Sequence, residues 1–177
     1  MNIQKRLGVI AIFMSLTGCG IAFPVNCEDL TGVSLTIPEQ SVFTSYAKDT
    51  VDYDLVSRYK ILVYADSLGC MSCKLRLDLW KDFMAETQII APGQADFIFV
   101  VAPFADGKRE VHLMLKGEHF ELPVCIDYGN QWRKINPFLA DKRNHVLLLD
   151  SLYRIVEIGN PLSDVRVRDA FFNHIMP

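Results

Sequence analysis

Lys60-Ile61-Leu62-Val63-Tyr64-Ala65-Asp66-Ser67-Leu68-Gly69-Cys70-Met71-Ser72-Cys73 opens on an apolar run and closes on two thiols. Residues 60–65 have the compact apolar character of a strand buried on both faces of a sheet. Ser67-Leu68-Gly69 breaks the run. From residue 71 to about 87, Cys73, Leu77, Trp80 and Met84 recur at three-to-four spacing, widened by Leu79 and Phe83, and this predicts a helix. Cys70 and Cys73 therefore fall where the first central strand gives way to the first long helix. Residues three apart on a helix are neighbours, within the separation a disulfide requires. A thiolate at Cys70 would be stabilised by unpaired backbone N–H groups and the positive end of the helix dipole, with Lys74 and Arg76 adding positive charge. Cys73, one turn further along the apolar stripe, would be shielded. In such a pair Cys70 attacks and Cys73 resolves.

Downstream, residues 97–101 read as a second central strand after Gly93. Asp106-Gly107 is a turn before a helical stretch at 108–116, with Val111, Met114 and Leu115 on one side. Residues 122–126 form a short strand around Cys125, 130–135 a helical turn, and 145–149 a third strong strand. A turn at Asp150-Ser151 leads to a half-exposed antiparallel partner at 153–158. Asn160 as N-cap and Pro161 as first helical residue open a terminal helix with Leu162, Val165, Phe171 and Ile175 inward. Upstream, the alternation at 33–37 predicts one peripheral strand. The order of elements is α/β, a central mixed sheet with helices on both faces.

The chain of 177 residues suits one domain, and 50% hydrophobic with 22% charged residues is globular composition. The formal charge is −3 without a Lys/Arg cluster, which argues against a nucleic-acid partner. Five cysteines are too few for a disulfide-built scaffold. At the N-terminus, Lys5 and Arg6 precede an apolar run at 7–16, too short to span a bilayer and suited to a signal peptide. Leu16-Thr17-Gly18-Cys19 resembles a bacterial lipobox. The resemblance implies removal of residues 1–18, acylation of Cys19, a tether with its peripheral strand over 19–58, and a domain over 59–177 outside the cytoplasm, where disulfides persist. Gly20, in place of the Asp that retains such lipoproteins on the inner membrane, points to the outer membrane.

The strand-to-motif segment 61–74, with the lipobox, the short strand around Cys125 and the Leu148-Leu149-Asp150 strand ending, resembles the thioredoxin-like superfamily, and within it membrane-tethered TlpA-like proteins. From about residue 60 onward that resemblance implies a thioredoxin-like fold and a thiol–disulfide oxidoreductase acting on extracytoplasmic protein thiols and disulfides. No small-molecule cofactor and no metal is implied, because electrons pass to or from another dithiol protein. Three positions depart from the family. Gly69 stands where a Trp usually precedes the first Cys. Tyr64 takes the place of the buried acid, with Asp66 two residues on. Residues 142–146 hold no Pro where the family has a cis-Pro facing the motif, and His145 stands near that place.

His145 is accordingly a candidate modulator opposite the pair, since a histidine changes charge near pH 6.5. With the two cysteines it would also make the ligand set of a thioredoxin-fold Cu(I) carrier, soft thiolates selecting that ion. A non-catalytic thioredoxin-like lipoprotein and a peroxidase, for which Ser67 would supply the hydroxyl, complete the alternatives. Cys125 reads as a packed core thiol or a regulatory one, and Cys27 as part of the tether, with pairing to Cys125 open. His112 and His119 read as solvated surface residues.

Overall fold

A computed structural model describes residues 30–66, 75–104 and 107–177. In chain order the elements are β1 (Phe43–Ser45), β2 (Asp49–Thr50), β3 (Tyr59–Asp66), α1 (Leu77–Ile90), β4 (Ala95–Ala102), α2 (Lys108–Gly117), β5 (Val124–Ile126), α3 (Gln131–Ile135), β6 (Val146–Leu149), β7 (Ile155–Ile158) and α4 (Val165–Ile175). Two short 3₁₀ turns, Pro137–Ala140 and Lys142–Asn144, link α3 to β6. The strands form one mixed sheet in the order β2-β1-β5-β4-β3-β6-β7. β3, β4 and β5 run parallel, while β6 and β1 flank them antiparallel.

Strand alternation divides the core in two. Ile61, Val63 and Ala65 face one cluster with Phe97, Phe99 and Val101, covered by Trp80 and Phe83 of α1, Val111 and Leu115 of α2, and Phe171, Phe172 and Ile175 of α4. Leu62 and Tyr64 face the other with Ile98, Val100 and Cys125, covered by Leu30, Leu35, Trp132 of α3 and Leu139. Burying both faces makes β3 and β4 near-continuous apolar runs. Arg168 of α4 pairs with Glu86 of α1, its guanidinium 5.4 Å from the Phe83 ring centre and 5.7 Å from that of Phe172.

Several expectations change. The helix anticipated from residue 71 is interrupted at Arg76, which holds a left-handed conformation (φ 41°) between buried Leu75 and buried Leu77. Residues 71–74 lie outside the described residues. The strand expected at 33–37 reduces to one bridge, Ser34 to Arg154, and the strands of that region are β1 and β2. The terminal helix starts at Val165. Asn160 spends its side chain on the N–H of Leu162 in a turn, and Asp164 caps the helix by accepting from Arg166 N (2.9 Å). That later start leaves Val165 67% exposed and turns Phe172 inward instead. His112 is half-buried with Nδ1 2.7 Å from the Tyr46 carbonyl, while His119 is exposed as expected.

Candidate functional site

β3 ends at Asp66 and the described chain resumes at Leu75, so the stretch carrying Cys70 and Cys73 joins these two points outside the described residues. Cys19 and Cys27 also lie outside them. The two ends that flank the motif border one cleft of about 240 Å³, lined by Tyr64, Asp66, Leu75, Trp80, Lys142 and His145 among others. Its position follows from topology: the parallel strands deliver their connections at their C-terminal ends, where open α/β sheets place ligand sites.

His145 is brought to this cleft by the antiparallel pairing of β3 with β6. Its carbonyl accepts from Tyr64 N (2.8 Å), its ring lies edge-on to Tyr64 at 5.2 Å, and its Nε2 is 3.1 Å from the Leu139 carbonyl. Its backbone is αR (φ −79°, ψ −14°), and no peptide bond among the described residues is cis. The turn before it is set by Asp141, which accepts from Arg143 N (2.9 Å) and from the Arg143 guanidinium. That guanidinium, with the backbone bond, holds the Asp141 carboxyl down at about 2.

Tyr64, at the family's acid position, is 2% exposed and its hydroxyl has no hydrogen-bond partner among the described residues. Burial first, and then the charge of Asp127, pushes its pKa up to about 12. It stays neutral across the physiological range and cannot accept a proton there. Asp66, 6% exposed at the same strand end, is the carboxylate nearest the motif along the chain.

Cys125 carries a free thiol, 1% exposed, as expected of a packed core cysteine. Burial pushes its pKa up, against the hydrogen bonds that the Trp132 indole N–H and the Ser41 hydroxyl direct at its sulfur. Those two neighbours had no signal in the sequence reading. Asp127 fixes the start of α3, its carboxylate accepting from the backbone N–H groups of Gln131 and Trp132 (2.7 and 3.0 Å).

A central mixed sheet with this strand order, covered on both faces and holding a CxxC between its first central strand and first long helix, defines a thioredoxin-like fold. Solved structures bear this out. A domain of a possible thiol-disulfide isomerase from Cytophaga hutchinsonii matches with TM-score 0.52 at 14% identity, over 82% of this chain and 94% of that one. A protein from Bacteroides vulgatus, provisionally assigned as a thiol-disulfide oxidoreductase, matches at 0.54 and 17% over 78% and 89%. One from Chlorobium tepidum, provisionally assigned as a thiol:disulfide interchange protein DsbE, matches at 0.53 and 13% over 80% and 97%. No protein-family model matches the chain, and no curated protein matches it in sequence. No helix among the described residues is long and apolar enough to cross a membrane.

Proposed function

We infer that the protein is a thiol–disulfide oxidoreductase of the cell envelope, lipid-anchored through Cys19, with Cys70 as nucleophile and Cys73 as resolving thiol. The observation that carries the reading is the place of the motif: a Cys-Met-Ser-Cys sequence spans the gap between the end of β3 and the start of α1 in a thioredoxin-like sheet. The Cys70 thiolate attacks a disulfide of the substrate protein, forming a Cys70–substrate disulfide and releasing one substrate thiolate. Cys73 then loses its proton and attacks the Cys70 sulfur. The Cys70–Cys73 disulfide forms, the second substrate thiolate leaves, and the substrate has gained two electrons. Another dithiol protein restores the reduced pair. Asp66 and His145, which share the cleft, are the groups suited to take the Cys73 proton, whereas Tyr64 is not.

The test is a redox titration of the purified protein in glutathione or dithiothreitol buffers, with alkylation of Cys70 and Cys73 read by mass. A reversible two-electron transition between about −120 and −300 mV is expected, its value separating reductant from oxidant. Cys70→Ser should abolish reduction of a disulfide peptide, and Cys73→Ser should accumulate the mixed disulfide. The same spectra should show acylated Cys19 at the mature N-terminus. Full activity in Cys70→Ser overturns the mechanism. Absence of a transition moves the pair to Cu(I) delivery or a structural role.

A further inference from the structure

We propose that the end of the sheet opposite the cleft rests on the surface of the lipid bilayer, a contact that builds on the anchor at Cys19 inferred above. Strand register brings four segments together at this end. Tyr59 and Ala95 open β3 and β4 side by side, and Tyr59 N donates to the Gln94 carbonyl (2.9 Å). The residues leading into β3 therefore meet those that join α1 to β4. Lys60 stands opposite Leu149, the last residue of β6, which puts the β6–β7 turn beside them. Gly32 N donates to the Ile155 carbonyl (2.7 Å), so the described chain also enters at this end.

These segments turn apolar side chains outward and carry little charge. Val56 is 85% exposed, Ile89 82% and Leu152 64%, with Val33 and Ile90 also exposed at this end. In a chain that is 22% charged, residues 30–37 and 87–95 hold no charged side chain at all. Residues 150–154 hold only the Asp150–Arg154 ion pair (2.7 Å), and residues 55–59 only Arg58. Tyr59 and Tyr153 are half-buried here, and tyrosine is a residue that membrane proteins place at headgroup level. At the other end, the exposed Phe104 and Val165 are flanked along the chain by charge: Lys108 and Arg109, Asp164 and Arg166. Exposed apolar residues scattered singly are ordinary, but an end that gathers them and lacks charge marks a contact surface.

Chain length selects the bilayer as the occupant. Thirteen residues lead from Cys19 to Gly32, a reach of at most about 45 Å. An acyl group at Cys19 therefore keeps the apolar end within reach of the lipid. The eight residues of β3 run away from that end, rising about 26 Å before the segment with the motif begins. The sheet then holds the cleft outward, toward soluble partners. Arg58 gives the four segments a net positive charge, the sign that anionic headgroups attract. Apolar contact and this attraction act together in interfacial binding.

The experiment places the protein purified from membranes on vesicles of phosphatidylethanolamine and phosphatidylglycerol with brominated acyl chains, which quench any indole that reaches them. Leu152→Trp should lose emission and shift to the blue on these vesicles, and Val165→Trp, at the other end, should do neither. The parent protein sets the baseline, since Trp80 and Trp132 are each 1% exposed. Ile89→Glu added to Leu152→Trp should weaken the quenching. Equal quenching at positions 152 and 165, or none at 152, overturns the proposal. So does a blue shift at 152 that grows with protein concentration in the absence of vesicles, the sign of a second copy on this face. The mass spectrum at Cys19 reports the anchor separately. If Cys19 is unmodified, the anchor reading falls, and the face is read with the chain held to nickel-chelating lipid by an N-terminal histidine tag.

Discussion

The two ends of β3 differ in how their polar groups are used. At the N-terminal end everything buried is paired. Lys60, 4% exposed, donates to the Ser57 carbonyl at 2.6 Å and sits 5.1 Å from the Tyr153 ring centre. Ser57 gives both its N–H and its hydroxyl to Asp96, each at 2.7 Å, and the Tyr53 hydroxyl donates to the Phe97 carbonyl at 2.9 Å. At the C-terminal end, among the described residues, the buried Tyr64 hydroxyl has no hydrogen-bond partner, Trp132 and Ser41 have only the weak acceptor sulfur of Cys125, and two cavities open. One end of the sheet is closed by polar bonds that serve stability. The other carries the two cavities, at the edge where α/β sheets carry their sites.

This contrast can be broken by mutation at either end. Asp96→Ala should have the largest effect, a loss of about 2 kcal/mol in urea unfolding, because it strands two donors of Ser57 that now bond a carboxylate. An unchanged midpoint would show that the N-terminal end is not closed by these bonds. Alkali probes both ends together. Tyr53 and Tyr64 are each pushed up to about 12, burial being the larger cause in both. The folded protein therefore keeps these protons where the unfolded chain, with tyrosines near 10, releases them. Stability contributed by the neutral phenols is full below pH ~10 and is lost as pH rises toward about 12. Absorbance titration should show Tyr53 and Tyr64 ionising last of the six tyrosines, after Tyr128 and Tyr153, which burial also pushes up, with the unfolding midpoint falling in that window. The smallest effect is expected of Tyr64→Phe, within about 0.5 kcal/mol of the parent or slightly stabilising, because the hydroxyl it removes makes no bond. A loss above about 1 kcal/mol would mean the hydroxyl is paired, and the two ends would then be alike.

Much of the fold was legible because burial on both faces writes itself as uninterrupted apolar residues. The runs at 60–65 and 97–101 became β3 and β4 with one or two residues added at each end. Helix starts were harder to read, because side chains compete for the same backbone donors. Asn160 and Asp164 are both good caps, and the sequence does not say that Asn160 is consumed by the N–H of Leu162. Arg76 breaks the expected periodicity with a backbone angle that its side chain does not announce. At the site, His145 was singled out because it stands near the place of the family's cis-Pro, and the antiparallel pairing of β3 with β6 puts it in the cleft. Trp132 and Ser41 were missed because they meet Cys125 across 84 and 7 residues of chain, Ser41 being the far one, through the pairing of β1 with β5, which no local pattern encodes.

The strand order also bears on self-association. A sheet invites its own copies wherever an edge strand leaves a row of unpaired N–H and C=O groups. Here one edge is β2, two exposed residues including Asp49, too short and too charged to template a neighbour. At the other, β7 has its outer side occupied at its start: Gly32 N donates to the Ile155 carbonyl and Ile155 N to that of Val33. The register shift between Leu148 and Leu149 twists that edge further. For a protein held at high local density on a membrane by a lipid, as proposed, blunted edges would let neighbours crowd together without growing into a common sheet.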